Sequence, residues 1–193
     1  MTIAIWVIIG IVAILIIAFV AIYNGLVRLR NQVKNSWAQI DVQLKRRHDL
    51  IPNLIEMVKG YMKYERETLE AITKARTLAQ QATSASPGER AKVEGELGTA
   101  LNRLLAVAER YPDLKASQNF LSLQEELAST ENKISFSRQF YNDSVLNYNN
   151  QTQMFPSNII AGMTGFKPGE FFEVTVAEEK EVPKVSFTSQ EKS

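Results

Sequence analysis

The chain has 193 residues, of which 45% are hydrophobic and 22% are charged, a composition that suits one packed domain and excludes a wholly disordered protein. Its 22 Lys and Arg stand against 21 Asp and Glu, and this balance gives no sign of a nucleic-acid partner. The chain lacks cysteine, which excludes disulfides, thiolate metal sites and cysteine nucleophiles.

The first predicted element is a membrane anchor. Ile3 to Ile22 form an uncharged, almost wholly apolar run of 20 residues. As a helix this run spans roughly 30 Å, the thickness of the hydrocarbon core of a bilayer. Only Met1 and Thr2 precede it, and no typical cleavage site follows, which favours an uncleaved anchor over a signal peptide. The lipid bilayer is therefore the first expected partner.

The orientation of the anchor follows from the basic residues beside it. Arg28, Arg30 and Lys34 come directly after the apolar run, and no basic side chain precedes it. Basic flanks tend to remain in the cytoplasm. The sequence therefore predicts a single-pass protein whose C-terminal domain is cytoplasmic.

Beyond the anchor, apolar residues recur at helical spacing and predict an all-α fold. The anchor should continue into the first of four helices, and short connections favour a long antiparallel four-helix bundle. Ser86, with Glu89, is typical of a capped start of the third helix, and Pro112 should stop it. The predicted domains are an anchor at 1–25, the bundle at 26–150, an irregular apolar segment at 151–176 and a polar tail at 177–193.

The predicted helices differ in length. The first and fourth should measure about 50 Å, and the second and third only about 33 Å. The two long helices should therefore lie alone over the last ~15–20 Å before the membrane. The apolar side chains of this part of the two helices should therefore be covered by another segment or by a partner.

The stretch Leu44 to Met57, "LKRRHDLIPNLIEM", holds the one histidine of the chain, His48, together with Pro52. No nucleophile motif, Glu-x-x-His pair or phosphate-binding loop accompanies it. We therefore expect no catalytic, metal or cofactor site, and no enzyme. Pro52 should bend the first helix near residues 48–52 and free the His48 carbonyl for water or a side chain. The bend either curves the helix around its own core or shapes a partner surface.

The fourth predicted helix carries Glu131 and Arg138 on or beside its apolar stripe. In an antiparallel bundle Glu131 could meet Arg46 or Arg47 of the first helix. Such an ionic pair fixes the register of two helices more dependably than it stabilises them. Solvent exposure and a binding role are the alternatives.

The C-terminal segment from Met154 to Val174 mixes apolar residues with glycine and proline. It could cover the long helices, contact neighbouring subunits or lie among lipid headgroups. The tail after it is polar and could include short strands. The candidate contact residues are Phe155, Ile159, Ile160, Met163, Phe166, Phe171 and Phe172.

Three stretches together resemble the LemA family: "RRHDLIPNLIEMVKGYMKYERETLEAI", "RLLAVAERYPDLKASQNFLSLQEELASTENKISFSRQFYND" and "FPSNIIAGMTGF". The resemblance covers Trp37 to Phe172. It implies a membrane-anchored helical bundle of a bacterial inner membrane without known enzymatic activity. It also implies links to membrane remodelling in magnetosome-forming bacteria and, for some relatives, to stress-related membrane metalloproteases.

Two functions follow as hypotheses. The first is a scaffold that self-assembles into homo-oligomers through its long helices and its apolar C-terminal segment. The second is a monomeric regulatory adaptor for a membrane metalloprotease or an envelope-stress signalling protein.

Overall fold

The computed structural model describes residues 2–62 and 64–173, and in these residues all regular structure is helical, so the predicted all-α class is confirmed. The predicted tail at 177–193 and any strands in it lie outside the described residues. A short 3₁₀ turn at Ala82–Ser84 follows the second helix. The helices are α1 (Thr2–Lys59), α2 (Arg66–Gln81), α3 (Pro87–Ala108), α4 (Pro112–Lys115), α5 (Gln118–Gln153) and α6 (Ser157–Thr164).

Helix α1 joins the anchor to the body without a break. It contains the apolar run, and it is the one helix among the described residues that is long and apolar enough to cross a membrane. The side chains of residues 2–21 are exposed, whereas Leu26 is fully buried. The body of the protein therefore begins to cover α1 only after the apolar run has ended.

Helix α1 also continues through Pro52 to Lys59. Because proline lacks an N–H group, the carbonyl of His48 loses its helical donor. Arg76 of α2 donates from Nε to this carbonyl at 2.9 Å. A side chain of the second helix thus replaces the missing backbone hydrogen bond.

The body is built on the antiparallel pair α1 and α5. Arg46 contacts Glu126, and Trp37 lies against Tyr141, so residue numbers rise along α1 as they fall along α5. At the end far from the apolar run, α2 and α3 pack on each other and share one core with α1 and α5. The detailed four-helix geometry remains a prediction.

The second helix is shorter than predicted. The helical spacing of apolar residues predicts this helix from Tyr61 to Ala82, but α2 spans Arg66–Gln81. After α1, Gly60 and Tyr61 form a turn that directs Met62 into the core, where its side chain is fully buried. The gain from burying this side chain outweighs further helix at that corner.

The C-terminal segment is more regular than predicted. Residues 151–176 were expected to be irregular, but α5 continues to Gln153 and Ser157–Thr164 form α6. Gly165 ends α6 with φ of +76°, and Phe166 N donates to Ala161 O at 3.0 Å. This closing bond is typical of helices that end at a left-handed glycine.

Candidate functional site: the end of the body beside the apolar run

The candidate site lies where α5 and α6 meet α1. Tyr148 of α5 and Leu26 of α1 belong to one core cluster. Because both helices rise at the same rate, Gln153 at the end of α5 lies about level with Ala21 of α1. The start of α6 therefore reaches the last turn of the apolar run.

One face of α6 packs inward. Ile160 and Ala161 are buried in the cluster that contains Leu26. Phe166, just after α6, meets the ring of Tyr23 edge-on with 5.7 Å between ring centroids. The guanidinium carbon of Arg30 lies 4.9 Å from the centroid of Phe166, within the range of a cation–π contact. These contacts tie α6 to the first turns of α1 beyond the apolar run.

Residues 166–173 then run back along the α1–α5 pair. Asn149 of α5 donates to Gly169 O at 3.0 Å and accepts from Gly169 N at 2.7 Å. Seven residues earlier, Asn142 makes the same reciprocal pair with the backbone of Phe172, at 3.2 and 2.9 Å. Tyr141 Oη donates to Glu170 O between them. Three side chains of α5 thus bind the backbone of residues 166–173, which have no regular secondary structure and which we call the returning segment.

The same segment reaches the start of α3. Glu170 accepts from Gly88 N at 3.1 Å and from Ser86 Oγ at 3.3 Å. A carboxylate is favourable at this place because the first N–H groups of a helix lack partners inside the helix. A Cβ on Gly88 would lie 2.5 Å from Glu170 Oε1, so a larger residue at position 88 would require the Glu170 side chain to shift.

The described residues leave the opposite face of α6 uncovered. Met154, Phe155, Ile159 and Met163, which we call the outer α6 surface, are 59%, 80%, 53% and 75% exposed. The seven candidate residues therefore divide into two sets. Ile160, Phe166 and Phe172 are buried and Phe171 is half-buried, whereas Phe155, Ile159 and Met163 point outward.

A buried ionic cluster lies further along the body, where α1, α3 and α5 meet. Arg47 donates to Glu131 of α5 at 3.0 Å and to Glu94 of α3, and the side chains of Arg47 and Glu94 are only 4% and 3% exposed. His48 Nε2 lies 3.2 Å from Glu94 Oε2. The neighbouring Arg46 instead makes an exposed pair with Glu126, and Arg138 lines a polar cleft beside Arg47 and Glu131.

Sequence reasoning missed Glu94, which is the centre of this cluster. It also missed Arg90, which is 3% exposed, pairs with Asp41 and lies 5.3 Å from the centroid of the Trp37 ring. Both residues sit near the apolar positions of α3, and a charge close to that face was the available signal. Within the described residues, no group of three or more His, Cys, Asp or Glu side chains is arranged to hold a metal ion.

The cluster predicts a loss of stability in acid. Burial alone raises the pKa of Glu94, but the hydrogen bond to His48 and the charge of Arg47 outweigh it and lower that pKa below its ordinary value of 4.5. A lowered folded-state pKa stabilises the protein above the ordinary value, and this contribution disappears as pH falls through the folded-state pKa. Urea unfolding of the full chain in detergent from pH 7 to pH 3 should show stability falling below about pH 4.5. The Glu94→Gln variant should show a flatter profile, and equal slopes would contradict the assignment.

Comparison with known proteins gives this architecture a family. The sequence model of the LemA family matches residues 36–187, most of the chain. The chain belongs to the LemA family. The resemblance inferred from three sequence stretches is thus confirmed, and the match includes the buried ionic cluster, α6 and the returning segment.

The relatives divide into two named groups. Magnetosome protein MamQ 2 of Paramagnetospirillum magneticum is 25% identical over 186 residues, covering 82% of this chain and 68% of the relative. Protein LemA of Metamycoplasma hominis is 26% identical over 170 residues, covering 87% of this chain and 74% of the relative. Magnetosome protein MamQ of Magnetospirillum gryphiswaldense is 24% identical over 174 residues, covering 78% of this chain and 64% of the relative. Together with the exposed apolar helix, these matches support a membrane-associated LemA-family protein.

Proposed function

We propose that this LemA-family protein is a non-enzymatic scaffold, anchored in a bacterial inner membrane with its body in the cytoplasm, that self-assembles into homo-oligomers. The observation that carries the proposal is an apolar face on the α1–α5 pair that no part of residues 2–62 and 64–173 covers. Val42, Phe136 and Phe140 form this open α1–α5 face, and they are 62%, 73% and 43% exposed. Large exposed apolar side chains in a group mark interaction surfaces.

The open α1–α5 face lies away from the other elements of the body. Val42 lines a shallow groove with Ala38, Gln39 and Gln43 of α1 and Ser137 of α5, and no residue of α2, α3 or the returning segment lines it. Trp37 lies against Tyr141 and Arg47 pairs with Glu131. By this register Phe136 lies about level with Val42 along the pair, and Phe140 lies one turn beyond Phe136 on the same side of α5. A second copy that laid its own long helices here would bury these side chains in a geometry suited to a rod.

The names of the relatives favour a membrane role. Two of the three relatives described above are named as magnetosome proteins, and the resemblance to the LemA family carries a link to membrane remodelling in magnetosome-forming bacteria. For this chain, we infer the more general role of organising or remodelling a membrane. The proposed sidedness is supported by the cations that follow the apolar run, Arg28, Arg30 and Lys34, because basic flanks tend to remain in the cytoplasm.

The test is the particle mass of the full chain, gently extracted into lipid nanodiscs. We expect a discrete multimer, and the double variant Phe136→Ser, Phe140→Ser should lower the mass to that of one or two chains because it removes the apolar contact. Tyr64→Ser is the control, since Tyr64 is 96% exposed at the opposite end of the body and should leave the mass unchanged.

A monomeric wild-type particle would contradict the scaffold and favour the adaptor for a membrane protease or signalling protein. Crosslinking in native membranes separates the two functions. Self-crosslinks through Val42 or Phe136 positions support the scaffold, whereas a reproducible band with a different protein at the same positions supports the adaptor.

A further inference from the structure

We propose that the outer α6 surface docks on an anionic lipid bilayer, beside the point where the span of the same chain leaves the membrane. Met154, Phe155, Ile159 and Met163 would lie at the boundary between headgroups and acyl chains, and nearby cations would contact lipid phosphates. This contact would fix the tilt of the rod against the membrane. It is separate from self-assembly, which uses the open α1–α5 face.

The two faces of α6 supply the first argument. Ile160 and Ala161 face the core, and Ile159 and Met163 face outward, so this short helix is apolar on both sides. A helix that is apolar all round is normally buried on all sides. The inner face has its partner in Leu26 and Phe166, and the outer face needs an apolar environment of its own.

The position of α6 supplies the second argument. The end of α5 lies about level with Ala21, within the apolar run, and Phe155 and α6 follow directly. If residues 3–22 span the bilayer, the outer α6 surface lies at the depth of the lipid headgroups. Aromatic and apolar side chains are favourable at that depth.

The distribution of charge supplies the third argument. All 21 carboxylate side chains of the sequence lie in residues 41–143 and 170–193. Residues 1–40 and 144–169, which include the apolar run and α6, contain four basic residues and no acidic one. The rest of the chain holds 18 basic and 21 acidic residues, so the positive excess lies in these two stretches of the sequence. The four cations are Arg28, Arg30, Lys34 and Lys167, and all are exposed.

These charges favour lipid over a second copy as the occupant. Two copies that met through this end would bring their four cations together, and like charges at an interface oppose association. Anionic headgroups offer the complementary charge, and the bilayer is already present beside α1.

The absence of cysteine permits a direct test. Ile159→Cys and Met163→Cys, each labelled with a nitroxide, report the surroundings of the outer α6 surface in the full-length chain. Phe136→Cys is the matched control, exposed but far along the rod. The samples are nanodiscs that hold one chain each, made of phosphatidylcholine alone or with added phosphatidylglycerol. Paramagnetic relaxation by oxygen and by a water-soluble nickel complex then measures the depth of each label.

We expect the ratio of oxygen to nickel accessibility to be several-fold higher at 159 and 163 than at 136, and to rise further with phosphatidylglycerol. The double variant Arg28→Gln, Lys167→Gln should abolish that rise. Equal, water-like ratios at all three positions would overturn the proposal. So would labels at 159 and 163 that are protected from both reagents, because that result indicates contact with protein. Since each disc holds one chain, either failure leaves the self-assembly proposal untouched.

Discussion

Replacement of Arg47 by Met should lower the free energy of unfolding by about 3–5 kcal/mol. Arg47 is the cation that compensates the charge of Glu94, whose side chain is 3% exposed. Arg47 also forms an ion pair with Glu131 of α5. Met fills similar volume but leaves a buried carboxylate beside His48 alone. Removal of one partner from a buried ion pair is costly because the other charge stays desolvated.

The neighbouring arginine is a matched control. Arg46 has the same chemistry and also pairs with a glutamate of α5, but the side chains of Arg46 and Glu126 are 47% and 43% exposed. Exposed pairs contribute about 0–1 kcal/mol, so Arg46→Met should have a small effect. Urea unfolding of the full chain in detergent, followed by far-UV circular dichroism, measures both variants.

A second-site change tests the cause of the loss. The double variant Arg47→Met, Glu94→Leu removes both charges of the buried pair, and such apolar replacements are often neutral or stabilising. Recovery of stability would show that the single variant suffers from an uncompensated charge. If Arg47→Met proves no worse than Arg46→Met, the cluster does not hold α1, α3 and α5 together as we infer.

The elements that could be predicted from the sequence depend on local signals. The serine cap of α3 and the proline after it each act within a few residues, and each marks an observed boundary. The capping box at Ser86 is present as expected, with the side chains of Ser86 and Glu89 each accepting from the backbone of the other. The resemblance to the LemA family correctly indicated the family of the chain, but it indicated no functional residues.

The features that escaped prediction depend on contacts between distant residues. Glu94 lies in a polar stretch of α3, and only the approach of α1 buries it against Arg47. The contacts of Asn142 and Asn149 could not be predicted, because their partners in residues 169–172 are distant in the sequence. The helical state of α6 was hidden by its glycine and proline content, because Gly165 serves as its end rather than as a break.

Replacement of Phe172 by Ala should cost about 3–5 kcal/mol and release the returning segment from the rod. Phe172 is 2% exposed and packs edge-on against Trp37, with 5.7 Å between ring centroids. Its backbone also forms the reciprocal pair with Asn142, so a cavity at this side chain weakens a hydrogen bond as well. Phe155→Ala, at a site that is 80% exposed, should change stability by less than about 0.5 kcal/mol in detergent.

Tryptophan fluorescence in a Trp6→Phe background follows this loss directly, since Trp37 then becomes the sole tryptophan. The emission should shift to the red in Phe172→Ala because water reaches the indole ring. An unshifted spectrum with unchanged stability would mean that residues 166–173 are held by the asparagine contacts alone.

The effect of Phe172→Ala on the position of α6 can be measured separately from its effect on stability. The distal core shared by α1, α2, α3 and α5 does not include Phe172, so the helical content of the body should persist in the variant. A nitroxide at Met163→Cys should nevertheless become more mobile, because the returning segment, residues 166–173, ties the end of α6 to Leu26 and Tyr23. Persistence of the helices with a mobile α6 would show that the returning segment positions the end of the body nearest the membrane, whereas the two long helices carry the fold.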